Sequence, residues 1–408
     1  MSAQPKAPSL LTKEFLLAAA CSIWPPSDQR NAAISSAAVP DLDWERLVRV
    51  ATRQRVIGLV SDGLRRARIA VPDRAERDIS DAARFQTQTN LQFAAELIRL
   101  QREFERQEIP VTFFKGVPVA IDVYGDIGIR HAKDLDFLVS PEQIANASAI
   151  LEAAQYRRVA PPISVEGARL RTLIRTGKEF VFLHKDNPSL EVELHWRLFN
   201  NKKFVDALPD RAEFKRYAAL DGIHLRTFVG DDLFTYLCAH GAVFAWARLK
   251  WLADIGALLA QDPTQTERRY REATRRGAER PAAQALLLCK HILGSDVPQK
   301  LIDELEADPV VRKLFSLAVT AMTAGGAETE PYDLKDGLKP MARSPWLIGK
   351  SGRFLLGEIN THWVGWDDVI DVPLPAGLQF LYPVLRVPIW LWRQATGPGA
   401  KRPEGNVS

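Results

Sequence analysis

The chain carries the sequence KDLDFLV at residues 133–139, where alternating charges run directly into an apolar segment. On a β-strand, successive side chains point to opposite faces, so Asp134 and Asp136 share one face and Leu135 and Phe137 share the other. The apolar second half is typical of a central, buried strand. The pattern therefore predicts a strand that holds two carboxylates together on one side.

The sequence EVELHW at residues 191–196 repeats this arrangement, with Glu191, Glu193 and His195 on one face of a predicted strand. Either segment alone is typical of the polar side of a half-buried strand. If the two strands are neighbours, however, three or four carboxylates converge, and ionised carboxylates at such distances repel. A divalent cation with oxygen ligands, such as Mg²⁺, would relieve that repulsion. Their joint occurrence therefore favours a functional site.

A third segment, IPVTFFKG at residues 109–116, predicts a buried strand that ends in a turn. Lys115 and Gly116 in this turn are candidates for contacts with phosphate oxygens. A helical stretch follows, and Ser140 and Pro141 are expected to open another helix, with Ser140 as its N-cap. Two more strands are predicted, over residues 178–183 and 189–196, and together these elements indicate a small α/β or α+β domain.

The rest of the chain shows mainly helical periodicity. Asp231 or Asp232 is expected to cap one of these helices, and the segment from Gly325 is expected to be extended chain with one short helix. The predicted fold class is α+β, with a short mixed β-sheet flanked by N-terminal and C-terminal helical regions. Its predicted parts are a helical region (1–108), a catalytic core (109–200), a second helical region (201–324) and a Pro/Gly/Trp-rich tail packed on the body (325–408).

Composition excludes several classes of protein. The 54 Lys and Arg residues against 50 Asp and Glu residues give a net charge of only +4, too small for a broad surface that binds duplex nucleic acid. The three cysteines are far apart and lack the spacing of a zinc site or a disulfide framework, which favours a reducing, cytoplasmic location. The most apolar stretch, 378–392, is interrupted by two prolines and an arginine and is shorter than the roughly 20 residues of a membrane span.

The ordered set of motifs resembles the uncharacterised nucleotidyltransferase family of the DNA polymerase β superfamily. The motifs that carry the resemblance are Phe114-Lys115-Gly116, Tyr124, Arg130, Asp134-x-Asp136 and Glu193-x-His195-Trp196. The likeness extends through His240 and residues 246–254 into residues 374–386 of the tail. It implies a minimal nucleotidyltransferase fold in which Asp134, Asp136 and Glu193 are the catalytic, metal-binding carboxylates. Two-metal catalysis with Mg²⁺ or Mn²⁺ and a nucleoside triphosphate, ATP above all, is the implied chemistry.

The sequence also departs from the superfamily pattern. Lys115-Gly116 stands where Gly-Gly or Gly-Ser is usual, so Lys115 and Arg130 are expected to supply positive charge to the triphosphate. The resemblance makes Gly116, His195, His240 and Arg248 further candidates for nucleotide binding. His240 and Arg248 fit a role in the site and a role in the scaffold about equally well. Trp246 is expected to pack rather than to stack on a base, and His131 to lie in an exposed loop.

Three functions are consistent with these motifs. The first is an enzyme that transfers a nucleoside monophosphate, AMP from ATP, to an unidentified acceptor and releases pyrophosphate. The second is a catalytically weak module of the same fold that binds a nucleotide or a partner. The third is an antibiotic-modifying adenylyltransferase. Resembling family members occur beside genes for ribosomally made peptides, including lasso peptides, so the resemblance suggests a peptide or a small molecule as acceptor.

Overall fold

A computed structural model of the chain describes residues 11–161, 167–205, 207–330, 335–363, 366–372 and 374–396. A mixed sheet of seven strands forms its centre, in the order β3-β4-β5-β2-β1-β7-β6. The strands are β1 Thr112–Phe113, β2 Leu135–Leu138, β3 Tyr156–Ala160, β4 Glu179–His184, β5 Glu191–His195, β6 Glu213–Tyr217 and β7 Ile223–Thr227. The predicted α+β class, with a mixed sheet flanked by helical regions, is confirmed.

Helices precede, interrupt and follow the sheet. The first group is α1 Lys13–Cys21, α2 Asp28–Ala37, α3 Trp44–Arg53, α4 Ile57–Arg66 and the long α5 Asp73–Arg106. Between the strands lie α6 Val117–Val119, which continues as a π-helical turn over Ala120–Tyr124, α7 Ile144–Ala153 and α8 Gly167–Thr176. The next group is α9 Gly230–Val243, α10 Leu249–Gln261, α11 Thr266–Arg275, α12 Glu279–Leu288, α13 Gln299–Ala307 and α14 Pro309–Thr323. The tail contains α15 Lys335–Leu347, α16 Gly352–Trp363, α17 Trp366–Asp371 and α18 Tyr382–Thr396.

The strand pairing explains how the predicted segments meet. Strands β2 and β5 are parallel neighbours, as the carboxylate pattern requires, and β1 pairs antiparallel to β2 on the other side. The ladder includes only Thr112 and Phe113 of the predicted 109–114 strand. The sequence did not predict β3, β6 or β7. The last two form a hairpin beyond residue 200 that joins the sheet by parallel pairing of β7 with β1.

The two faces of the sheet pack against different helices. On one face, Phe137 is fully buried and its ring meets Phe113 and Phe104 edge to face, with ring centroids 4.7 and 5.7 Å apart. Helices α5 and α7 cover this face, and burial of a Phe side chain stabilises the fold by about 2 to 3 kcal/mol. On the opposite face, Phe114 and Leu138 pack with α9 in the larger helical core.

Several local expectations were wrong. The tail is not extended: its described residues form four helices, and Pro340 and Pro345 lie inside α15. A proline inside a helix destabilises that helix by about 3 kcal/mol, which is why the sequence did not predict helices there. Tertiary contacts offset that cost, because the buried Ser344 hydroxyl donates to the Ala242 carbonyl at 2.7 Å and Phe354 joins the core.

Of the predicted caps, one was wrong and the other is correct in position only. Helix α9 begins at Gly230, so Asp231 and Asp232 lie inside its first turn, where an acidic side chain still suits the positive end of the helix. Ser140 occupies the predicted N-cap position, before a short 3₁₀ turn from Pro141 that leads into α7, but its side chain makes no capping hydrogen bond. None of the helices in the described ranges is both long and apolar enough to cross a membrane.

Candidate active site

An acidic cluster forms where β2 and β5 run side by side. Asp136 lies opposite Glu193 in the register, and Leu138 lies opposite His195, so the acidic side chains fall on one face. Carboxylate oxygens of Asp136 and Glu193 and a ring nitrogen of His195 lie within 4.8 Å of one another. Oxygens of Asp134, Glu191 and Glu193 form a second group with the same spread. Glu193 belongs to both groups and connects them.

The Lys115 ammonium and the His195 ring contact the carboxylates of this cluster. The Lys115 ammonium donates to Oδ1 of Asp136 at 2.7 Å, and Nε2 of His195 lies 3.2 Å from both Asp136 and Glu193. Burial alone would raise the pKa of both carboxyls. The Lys115 charge lowers the pKa of Asp136, and the hydrogen bond from His195 holds the pKa of Glu193 well below its ordinary value. Both carboxyls are therefore ionised at neutral pH.

Asp134 responds to the same surroundings in the opposite direction. Burial, together with the charges of Asp136 and Glu193, raises the pKa of Asp134 to about 7. Burial also raises the pKa of Glu191 at the edge of the cluster. Lys115 and His195 therefore do not compensate the whole cluster, which retains an excess of acceptor oxygens.

The donor set fits a divalent cation. Oδ2 of Asp136 is buried and has no hydrogen-bond partner within the described part of the chain. An unsatisfied buried oxygen is unfavourable, and here it lies among other carboxylates, the ligand type that Mg²⁺ and Mn²⁺ prefer. Asp134, Asp136 and Glu193 are the residues that would hold such an ion.

A basic cleft adjoins the acidic cluster. Lys115, Lys133, Arg55 and Lys250 line it together with Asp134. Gly116 also lines the cleft, with a backbone φ of +64°, a conformation that residues with a Cβ rarely adopt. Burial and the charge of Arg130 lower the pKa of Lys250 well below its ordinary value, so the cationic lining rests on Lys115, Lys133 and Arg55. Positive charges beside a carboxylate cluster can hold an anion with multiple charges, such as a polyphosphate, next to a bound divalent cation.

Arg130 lines this cleft, but its guanidinium is held by the scaffold. It forms a bidentate ion pair with Asp254 at 2.8 and 2.9 Å, and the Tyr124 hydroxyl donates to the same carboxylate at 3.0 Å. Arg130 also donates to the Gly116 carbonyl at 3.4 Å. The arrangement gives Arg130 a positioning role for the turn at Gly116 as well as a fixed positive charge.

The other candidates differ in whether they line the basic cleft. His240 on α9 lies against Trp251, with ring centroids 5.2 Å apart, and lines both the basic cleft and a neighbouring apolar cavity. Arg248 lines neither, since its guanidinium donates to the Arg53 carbonyl and to Glu330 at 2.8 Å. Trp246 is fully buried against Gly241, as expected for a packing residue. His131 is half-buried, not exposed, and burial lowers its pKa.

Sequence reasoning missed several residues around the cluster. Glu179 lies opposite His195 in the β4–β5 register, and its carboxylate is 3.1 Å from Nδ1 of that ring. Lys133 directly precedes Asp134 in the sequence, and this adjacency to a candidate metal ligand is the signal that could have identified it. Arg55 follows α3 in the N-terminal helical region, far away in sequence, and nothing in its local sequence indicates a role in the cleft.

Comparison with known proteins identifies the family. A family model described as "Uncharacterised nucleotidyltransferase" matches residues 40–294. The chain belongs to this nucleotidyltransferase family. The matched range contains the acidic cluster and every residue named for the basic cleft, but it ends before the tail, so the likeness predicted for residues 374–386 lies outside it. No curated protein and no solved structure matches the chain.

Proposed function

We propose that this nucleotidyltransferase transfers a nucleoside monophosphate, AMP from ATP, to an acceptor and releases pyrophosphate. The observation that supports the proposal best is the contact between two opposite charge environments. The carboxylates of Asp134, Asp136 and Glu193 lie beside the basic cleft, and Asp134 and Lys115 belong to both. A triphosphate needs positive charge along its length and a metal site at the reacting phosphorus.

The residues have distinct proposed roles. Asp134, Asp136 and Glu193 would hold two Mg²⁺ or Mn²⁺ ions, which, when bound, neutralise the carboxylates and the charge on the phosphates. Lys115, Lys133 and Arg55 would neutralise the β- and γ-phosphates, and the Gly116 turn would leave space for the backbone to approach them. His195 orients Asp136 and Glu193 through its ring nitrogen.

The transfer step is a single displacement at the α-phosphorus. A new bond forms between the acceptor oxygen and the α-phosphorus, and the bond from that phosphorus to the bridging oxygen breaks. Pyrophosphate leaves with the electron pair of the broken bond. The acceptor proton passes to Glu193 or to a water held by it.

The three buried cysteines form no disulfide, which agrees with the reducing cytoplasm proposed as the location.

The test incubates the protein with each nucleoside triphosphate labelled at the α-phosphorus, with Mg²⁺ or Mn²⁺, and with a panel of acceptors. The panel contains a precursor peptide, an aminoglycoside and small alcohols, so it also distinguishes a peptide-modifying enzyme from an antibiotic-modifying one. We expect label transfer to fall by at least about a thousandfold in the double variant Asp134→Ala/Asp136→Ala. The control is Asp303→Ala, which removes an exposed carboxylate outside the site.

Two results would contradict the proposal. Equal label transfer by the wild type and the double variant would refute the role of the carboxylates. If a nucleotide stabilises the protein but no pyrophosphate is released, even with water as the acceptor, the result would instead favour a binding module of the same fold.

A further inference from the structure

A second cavity lies beside the basic cleft and shares two of its residues, Lys115 and His240. Its volume is about 220 Å³. Tail helices α15 and α16 form one side of it, and we call it the tail-side cavity. The chain from Leu198 to Phe204, which follows β5 and therefore Glu193 and His195, forms another side. The cavity thus adjoins the acidic cluster through Lys115, whose ammonium donates to Asp136.

Four phenylalanine rings form part of the wall of the tail-side cavity. Phe204 meets Phe199 and Phe354, with ring centroids 5.0 and 5.4 Å apart, and Phe244 adds a ring from the end of α9. The lining also includes the cationic side chains of Lys115 and Lys178. Aromatic walls favour a ligand with a flat or apolar body, not a polyphosphate.

One acidic side chain lines this apolar surface. Glu358 on α16 is only 6% exposed, and its Oε2 accepts a hydrogen bond from the Asn201 amide at 2.7 Å. The Asn201 amide also donates to the Phe354 carbonyl at 3.0 Å, so this corner of the cavity is fixed in position. An ionised carboxylate there would favour an N–H donor, and an ammonium group above all, because charge-assisted hydrogen bonds are the strongest.

The position of the cavity indicates which substrate it serves. Displacement at phosphorus is in line, so the acceptor must approach from the side opposite the leaving pyrophosphate. If the pyrophosphate lies in the basic cleft, the tail-side cavity, which borders that cleft at Lys115 and His240, offers space from which an acceptor can reach the reacting phosphorus. The Lys178 ammonium, paired with Glu179, also lines this end of the cavity near His195.

We propose that the tail-side cavity binds the acceptor, and that the acceptor is a small hydroxyl compound with an aromatic body and an amino group. Its hydroxyl would face Lys115 and the acidic cluster, its body would lie among the Phe rings, and its amino group would meet Glu358. This inference rests on the proposed nucleotidyl transfer, because it assigns the second substrate of that reaction.

The probe for the test is tyramine, which has a phenol hydroxyl, an aromatic body and an ammonium group. 4-Ethylphenol lacks the ammonium, and glycerol lacks the aromatic body. Thr361→Phe fills the cavity from α16, whereas Leu356→Phe places the same side chain at a position on that helix that is 68% exposed. Calorimetry measures binding of each probe without nucleotide, binding of ATP with Mg²⁺ is measured separately, and release of pyrophosphate reports turnover.

We expect tyramine to bind wild type and Leu356→Phe about tenfold more tightly than 4-ethylphenol does, and glycerol not to bind. Thr361→Phe should weaken tyramine binding by at least about tenfold and leave ATP affinity unchanged. Glu358→Gln keeps an acceptor for Asn201 and should abolish the preference for tyramine over 4-ethylphenol. Tyramine should raise pyrophosphate release in the wild type and not in Thr361→Phe.

The failures are distinguishable. Equal tyramine binding by wild type and Thr361→Phe would overturn the assignment of the cavity while leaving the nucleotidyltransferase proposal intact. Loss of ATP affinity in Thr361→Phe but not in Leu356→Phe would also overturn it, since the cavity would then hold the nucleotide base. Tyramine binding without any ATP binding by the wild type would refute nucleotidyl transfer and, with it, the acceptor role.

Discussion

At the scale of single residues, Asp134 and Asp136 show how two identical side chains on one strand can differ. Asp136 is in contact with Lys115 and His195, whereas Asp134 lies among carboxylates at the edge of the basic cleft. Their pKa values shift in opposite directions for this reason. The two residues should therefore affect the stability of the metal-free protein with opposite signs.

We expect Asp134→Asn to stabilise the metal-free protein at pH 8. Because the pKa of Asp134 rises from 3.8 to about 7 on folding, the stability that its protonated form contributes is complete below pH 3.8 and is lost as the pH rises to about 7. Asn resembles the protonated form and avoids that loss. The gain should be about 2 kcal/mol at pH 8, measured by urea unfolding in EDTA, and should be smaller at pH 5.

The matched control is Asp136→Asn, with the opposite sign. The pKa of Asp136 is lowered on folding, so its ionised form contributes stability above its ordinary pKa that is lost as the pH falls. Removal of that charge leaves the buried Lys115 ammonium with weaker compensation, and Asp136→Asn should be less stable than the wild type at pH 8. A loss of stability in Asp134→Asn at pH 8 would show that the carboxylate repulsion is relieved in another way.

The residues of the acidic cluster could be predicted because strand alternation is a local property. Asp134, Asp136, Glu191, Glu193 and His195 needed only the assumption that two strands are neighbours, and that assumption is confirmed. The position of Arg248 could not be predicted in the same way. Its guanidinium is directed by Glu330, which is 82 residues away in sequence, and no local pattern contains that contact.

At the scale of elements, the sequence predicted strands β1, β2, β4 and β5 and missed β3, β6 and β7. β6 is exposed at four of its five positions, so it lacks a hydrophobic face that periodicity could reveal. The tail helices were missed because prolines argue locally against a helix, while the contacts that stabilise them are tertiary. Local patterns therefore predicted the centre of the sheet better than its edge or the tail.

The contact of α16 with the chain after β5 depends on a glycine. A Cβ added at Gly357 would lie 2.0 Å from Oδ1 of Asn201, far inside van der Waals contact. We expect Gly357→Ala to push α16 away from Asn201 and to destabilise the protein by about 1 to 3 kcal/mol. Hydrogen exchange should increase in α16 and at residues 198–204, with little change in β2.

Gly352→Ala is the matched control, because a Cβ there has no heavy atom within 4 Å. It lies at the start of the same helix, so it reports on helix propensity without the steric contact. Unchanged exchange at residues 198–204 in Gly357→Ala would mean that Asn201 rotates away and that the close approach of α16 is not required.

At the scale of the whole molecule, Arg53 joins the N-terminal helices to the C-terminal helical region. Its side chain is only 5% exposed, and it donates to the carbonyls of Ala247, Ala321 and Met322 at 2.6 to 3.1 Å. The neighbouring Gln54 accepts from the Leu249 amide at 2.8 Å. The cleft residue Arg55 follows directly, so the same short segment supports the fold and reaches the candidate site.

We expect Arg53→Met to destabilise the whole protein by about 3 kcal/mol or more, because it leaves several buried carbonyls without a donor. Helices at both ends of the chain should unfold together in urea, as seen by circular dichroism and by tryptophan fluorescence. Arg49→Met on the same helix removes a side chain that is 52% exposed and paired with Glu328, and should cost less than about 1 kcal/mol. Separate unfolding transitions in Arg53→Met would instead indicate that the helical regions are independent domains.

The tail-side cavity is built partly by residues 345–361, whereas the family model matches only residues 40–294. The carboxylates and the cavity wall are thus encoded in stretches of chain that can change at different rates. Under the proposed assignment, substitutions in the tail would redirect the enzyme to a new acceptor while its phosphorus chemistry stayed intact. Family members with different tails would then share one reaction and modify different molecules, and exchange of tails between them would be a direct way to engineer that choice.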